Sequence, residues 1–361
     1  MLPNQKEVVL SLLREYGEIL FGNDPYGFVK KGDFVGVVSA QDGELVLPAV
    51  YRGRIDPKDS LHKLIDSDKK AGLFSTQTGD WVIPPEFGDI DRWSAKNEFQ
   101  IVVNRTSRVY SLKGVYSLAI KKLIIPVLYD TVLFLSPSHV FVAKIGECGI
   151  FDAKNSQWVF TFTDDTGDEA PKIWNLKRKY SEEESSIWSI EINGKLGIFS
   201  LNKNQLIVPI ECDSIENGHE CESSPFWSVY LGERKSGIFS DITGTFVVPA
   251  EYEATWPISD TVAVIVDFNS WTEGLYSMTK GKVLLPIKYN HNFSKKISDT
   301  LYLVQEEESH LYGVFSEKTE SFAVPVRYEE PIKHIIGELF EVCVDGNRLI
   351  FNVEDQTETF I

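Results

Sequence analysis

A glycine followed twelve residues later by a proline recurs seven times along this chain, and that interval restricts it to a repetitive fold. The pairs are Gly36/Pro48, Gly72/Pro84, Gly114/Pro126, Gly197/Pro209, Gly237/Pro249, Gly274/Pro286 and Gly313/Pro325. An eighth copy, Gly149 to Thr161, keeps the spacing without the proline, and a ninth runs from Leu349 to Ile361. Successive copies lie 36, 42, 35, 48, 40, 37, 39 and 36 residues apart. Periods near forty belong to solenoids, propellers and related arrays. One such unit cannot bury its own apolar face, so stability must come from stacking on its neighbours.

Around the interval, columns of like residues repeat. Two places after the glycine stand Val38, Phe74, Tyr116, Phe151, Phe199, Phe239, Tyr276, Phe315 and Phe351. One place further stand Ser39, Ser75, Ser117, Asp152, Ser200, Ser240, Ser277, Ser316 and Asn352. Three places after the proline position stand Tyr51, Phe87, Tyr129, Cys212, Tyr252, Tyr289 and Tyr328. Gly237-Ile238-Phe239-Ser240, the turn Asp241-Ile242-Thr243-Gly244 and Phe246-Val247-Val248-Pro249 read as two strands joined by a hairpin. An apolar run upstream, such as Val262 to Val266, adds a third strand, and a fourth has room after the proline. Proline, lacking an amide hydrogen, is expected at a strand end. The glycine is expected at a bulge or a close backbone approach. The serine hydroxyls are expected on the hairpin backbone.

The fold class expected is an all-β repeat protein of about nine three- to four-stranded meanders. An open curved array is favoured and a closed β-propeller is the alternative, since no N-terminal strand is evident to seal a ring. Over residues 4–20, Val9, Leu12, Leu13, Tyr16 and Leu20 recur at helical spacing, between Pro3 and Gly22. Residues 1–25 are therefore expected to form a capping helix and residues 26–361 the array. The largest insertion, residues 161–184, carries alternating acidic and basic runs and is expected to be an exposed loop.

The pattern glycine, aliphatic, aromatic, hairpin, then Val-Ile-Pro-x-x-Tyr resembles the bacterial tryptophan-glycine (WG) repeat family. Gly72-Leu73-Phe74 through Val82-Ile83-Pro84-Pro85-Glu86-Phe87 is a good copy, as is Gly237-Ile238-Phe239 through Val247-Val248-Pro249-Ala250-Glu251-Tyr252. The naming tryptophan, just before the glycine, is replaced here by Val35, Ala71, Lys113, Cys148, Leu196, Ser236, Glu273, Tyr312 and Arg348. The resemblance implies a β-rich interaction module and supplies no catalytic residue.

Charge divides the chain. The net charge is −17, and residues 181–361 alone hold 13 basic and 30 acidic side chains. The whole excess lies in the C-terminal half. Such a surface repels phosphate backbones, so nucleic acid is disfavoured as a partner. It favours solubility or a basic protein partner. No apolar run approaches 18 residues, so no membrane span is expected. The first residues lack the features of a signal peptide. Cys148, Cys212, Cys221 and Cys343 sit at irregular places, which points to a reducing cytoplasm.

Nothing marks an enzyme. Gly-x-Ser-x-Gly, phosphate-binding glycine loops and His-Glu-x-x-His are all missing from the sequence. Cys212, His219 and Cys221 have metal-binding side chains, but their spacing matches no zinc site. No cofactor, metal or catalytic residue is expected. Trp271, in a loop, is a candidate contact anchor. The acidic residues Glu306, Glu307, Glu308, Glu329 and Glu330 are candidate docking charges. The function expected is a non-catalytic protein-binding module for a basic partner, in its concrete form an inhibitor or immunity-type protein. The alternative is a carbohydrate-binding or hydrolytic propeller, in which loops bring distant carboxylates together.

Overall fold

The computed structural model describes residues 3–91, 98–105, 111–163, 169–175, 186–217, 225–232, 234–290 and 295–360. His219, Cys221, Trp93 and most of the charged runs of the large insertion lie outside the described residues. The chain forms two compact parts, residues 1–171 and 172–361. Both are built of small antiparallel sheets whose strands follow one another in chain order, and the chain is an all-β repeat protein. Among the described residues no helix is long and apolar enough to cross a membrane.

The N-terminal helix spans Pro3–Tyr16, shorter than the expected cap of residues 1–25, and ends before Leu20, the last residue of the helical stripe. Gly17, at φ 87°, turns the chain, and Glu18–Leu20 becomes the first strand of the first sheet. The helix packs through Val8, Leu12 and Tyr16 onto Val29 and Val38. Leu13, expected on that stripe, is 41% exposed. The four-residue spacing of Val8, Leu12 and Tyr16 places them on one helix face, and Leu13 falls beside it.

In the seventh unit the strands are Ala254–Pro257, Val262–Asp267, Thr272–Ser277 and Lys282–Asn290. The short first strand follows directly on the preceding unit's proline-bearing strand, so the fourth strand read after each proline belongs to the next sheet. Units five and six share one 13-residue strand, Gln205–Asn217, which ends one sheet and begins the next in a seven-stranded sheet. Within the large insertion, Lys172–Asn175 is also such a first strand, where the sequence suggested loop throughout. The second unit departs from the pattern. It has three strands, Leu61–Ile65, Ala71–Ser75 and Asp80–Phe87, and in place of a paired first strand the preceding segment makes the isolated bridge Arg52↔Ile65.

The glycine and proline columns have one common cause. In the sixth unit Ser236 faces Tyr252 and Ile238 faces Val248, so two residues on one strand span four on the other. Gly237 lies opposite this bulge, which contains Pro249. The proline therefore sits inside strand Thr245–Tyr252 and not at its end. It occupies a place where the ladder is interrupted, so its missing amide hydrogen costs no bond. All seven glycine–proline units show this shift. The two units without proline pair regularly there, with Gly149 facing Thr161 and Leu349 facing Phe360.

The serine column caps the hairpin. The hydroxyl oxygens of Ser75, Ser200, Ser240, Ser277 and Ser316 accept the amide hydrogen three residues on, at 3.2–3.4 Å. Asp152 and Asn352 do the same work with a side-chain oxygen. One residue beyond, the chain is left-handed in every unit: four times it is glycine, and elsewhere Lys121, Ser156, Asn204, Glu320 or Gln356.

Alternate residues of the central strands enter different cores. Ile238 packs with Ala263, Ile265 and Tyr276 of the following unit. Phe239 packs with Ile187, Ile198 and Val208 of the preceding one. Leu275 and Tyr276 divide in the same way. A sheet buried on both faces needs a continuous apolar run, and each unit's central strands supply one.

Candidate protein-binding edge

In an antiparallel meander, the hairpin between the second and third strands and the end of the fourth strand lie at one end of the sheet. Trp271 is on that hairpin in unit seven. Glu306, Glu307 and Glu308 are on the equivalent hairpin in unit eight, and Glu329 and Glu330 follow the fourth strand of unit eight, Ser321–Tyr328. The six candidates thus share one end of successive sheets.

Trp271 is 63% exposed and left-handed, with φ 53°. The equivalent position, three residues before the column glycine, is also left-handed at Lys69, Gly146, Gly194, Arg234, His310 and Gly346. The backbone shape is therefore a property of the repeat, and a bulky aromatic fills it here against its own preference. Its ring meets Phe268 edge-on with centroids 5.9 Å apart. The loop is braced from the preceding unit by the Glu253 carboxylate, which accepts the Phe268 amide hydrogen and, at 2.9 Å, the Asn269 side-chain amide. Arg234 donates to Asn269 at 3.3 Å and stands 3.7 Å from Glu253.

The glutamates differ from one another. Glu306 is half-buried, and its carboxylate accepts from Lys288 at 2.7 Å and Ser309 at 2.8 Å. The Lys288 hydrogen bond, followed by that of Ser309, holds the carboxyl below its ordinary range. Its backbone bridges to Tyr289, which ties the hairpin to unit seven. Glu306 thus serves to fix the hairpin. Glu307 is half-buried, while Glu308, Glu329 and Glu330 are exposed. Burial, and then hydrogen bonding to Glu330, pushes the Cys343 thiol up, placing Glu330 beside the first strands of unit nine.

Among the described residues no group of three His, Cys, Asp or Glu is placed to hold a metal ion. Cys212 is buried, and burial pushes its thiol up to about 11. The column that names the family, from Val35 to Tyr312, faces the post-proline column across the bulge. Ala71 faces Phe87, Ser236 faces Tyr252, and Glu273 faces Tyr289. That role accepts many side chains.

The family described as WG containing repeat matches residues 72–99, from the second unit into the start of the third. No curated protein matches the chain. Among solved structures, the computationally designed Ika8 protein is 11% identical, with a TM-score of 0.27 and coverage of 82% of this chain and 95% of that one. A eukaryotic initiation factor is 10% identical, with a TM-score of 0.29 and coverage of 91% and 93%. Sqt1 of Saccharomyces cerevisiae is 9% identical, with a TM-score of 0.28 and coverage of 80% and 91%. Scores of this size establish neither a shared arrangement of sheets nor a shared function.

Proposed function

We propose that this chain, which matches the WG containing repeat over residues 72–99, is a non-catalytic protein-binding module whose acidic half, residues 181–361, docks a basic protein. In its concrete form it is an inhibitor or immunity-type protein that masks a basic enzyme. The observation that carries this reading is Trp271, held out on a braced hairpin with the glutamate hairpin of the next unit at the same end. Aromatic anchors of limited freedom dominate binding energy, and surrounding charge sets encounter rate and selectivity. A cytoplasmic setting fits Cys148, Cys212 and Cys343, which are free thiols.

The test is capture from a lysate of the source cells on immobilised protein, eluted with a salt gradient. A parallel column carries the variant Trp271→Gly with Glu307, Glu308, Glu329 and Glu330 changed to Gln. A basic protein held by the native chain, released by salt and lost on the variant is the expected result. Equal retention on both columns rejects this edge as the docking surface.

One feature favours a second reading as a carbohydrate-binding protein. A cleft of about 540 Å³ between units eight and nine is lined by Ser298, Thr300, Ser316 and Thr319 together with the half-buried Phe322. Hydroxyls and ring faces are groups that hold sugars. Calorimetry with a panel of neutral oligosaccharides tests it, and heat that vanishes in Thr319→Val would support it.

A further inference from the structure

The part formed by residues 1–171 contains a cleft of about 660 Å³, within the size range of small-molecule sites. It exists because the second unit lacks its short first strand. After the single bridge Arg52↔Ile65 the chain leaves the sheet through Gly53 and Pro57, and the space at the hairpin end stays open. Phe34, Val50 and Ile65 form apolar walls. Arg52, Lys63 and Lys69 bring three cations into a chain whose net charge is −17.

Two carboxylates also line the cleft, and both are engaged. Asp66 accepts the amide hydrogens of Asp68 and Lys70 at 2.9 and 2.8 Å, closing its own hairpin. Asp89 pairs with Lys63 at 2.9 Å. The formal balance of the lining is one positive charge. The Arg52 guanidinium carbon lies 5.3 Å from the centre of the Phe34 ring, a cation–π contact that holds the side chain at the apolar wall. A planar fork held this way suits a carboxylate, which it can meet with two parallel hydrogen bonds.

We propose that this cleft binds an organic monocarboxylate with an apolar body of about dipeptide size. Arg52 receives the carboxylate, Lys69 adds charge from the left-handed hairpin position, and Phe34, Val50 and Ile65 cover the apolar body. A single surplus charge matches a carboxylate better than a phosphate dianion. The source is a free organic acid or the C-terminal end of a peptide, and both present the same group.

The test is calorimetric titration of the full chain with N-acetyl-leucyl-leucine, its C-terminal amide, hexanoate and inorganic phosphate. The acid should bind and the amide should bind at least about tenfold more weakly, since a charge-assisted pair is lost. Binding of hexanoate as tightly as the peptide acid assigns the site to free acids, and a clear preference for the peptide assigns it to chain ends. Arg52→Gln should weaken the acid by about tenfold or more. Lys69→Asn, which keeps a residue suited to the left-handed backbone, should weaken it less, and circular dichroism and thermal melts of both variants matching the native chain check folding. Equal affinity for acid and amide, unchanged affinity in Arg52→Gln, tighter binding of phosphate, or no heat up to about 10 mM acid would each overturn the proposal.

Discussion

Gly237 stands opposite the bulge that holds Pro249, and a methyl group on it would sit 2.7 Å from the Val248 carbonyl oxygen and 2.8 Å from the Ala250 nitrogen. Both obstacles are backbone, so nothing nearby can swing aside. Gly149 faces a regular ladder, and the nearest atoms to its missing Cβ belong to the Trp158 side chain, at 2.7 and 2.9 Å. Trp158 is 41% exposed and has room to move.

The first prediction compares these two sites. Gly237→Val should destabilise the second part by about 2–4 kcal/mol, the range for forced repacking with backbone displacement. Gly237→Ala should cost more than Gly149→Ala. Denaturant midpoints of the four proteins decide it. Equal losses at the two alanine sites would mean that the bulge does not set the glycine requirement.

Those columns were legible because each is tied to a local backbone demand: no side chain at Gly237, no donor at Pro249, a cap at Ser240. The short first strands were harder to read. Asp89–Asp91 and Lys333–Ile336 are three and four residues long and each begins on a charged residue, so alternation has no length over which to show. The helix was drawn to residue 20 because Leu20 continues a helical stripe, yet Gly17 breaks it and Leu20 packs as strand. At the candidate edge, composition pointed to Trp271 and the glutamates, but nothing in the sequence tells Glu306, engaged by Lys288, from Glu308. The cleft at Arg52 could have been suspected from Gly53 and Pro57, which break the strand that other units place there.

The left-handed hairpin positions give a second prediction. Lys121 holds φ 51°, a conformation that costs a side-chain-bearing residue about 1–2 kcal/mol. Lys121→Gly removes that strain and adds about 0.4–1 kcal/mol of unfolded-chain entropy to be lost. The net expectation is a gain of about 0.5–1 kcal/mol. Gly281, at φ 64° with nothing near its absent Cβ, provides the converse. Gly281→Ala should lose about 1 kcal/mol through backbone strain alone. Chemical denaturation of each variant measures both signs.

Alkaline pH should unfold this protein. Burial is the first cause that pushes Tyr129, Tyr252, Tyr302 and Tyr328 up to about 12, and nearby carboxylates add to it. Burial pushes Cys148 to about 12 and Cys212 to about 11. In the unfolded chain thiols ionise near 8.5 and phenols near 10. Between those values and the folded ones the native state holds protons that the unfolded state has released. Stability therefore falls as pH rises, first from about 8.5 through the thiols and more steeply above about 10 through the phenols. Denaturant midpoints at pH 7, 9, 10 and 11 should decline in that order. A flat profile to pH 11 would mean that these groups ionise in the folded chain as they do in water.

Trp271 allows binding and folding to be separated. Replacing it with glycine relieves a left-handed backbone, worth about 1–2 kcal/mol, and removes one edge-on contact with Phe268, worth about 0.5–1.5 kcal/mol. Stability should therefore change by less than about 1 kcal/mol in either direction. If Trp271 anchors a partner, the same substitution should cost about 2 kcal/mol or more of affinity, roughly a thirtyfold loss, as buried tryptophan anchors do. The electrostatic share should appear separately, as weaker binding with rising salt that is blunted in Glu308→Gln. A tryptophan kept only for packing would give the opposite pair of results, a clear loss of stability with affinity untouched. Unfolding midpoints together with titration of the captured partner distinguish the two, because an anchor loses affinity without losing stability and a packing residue does the reverse.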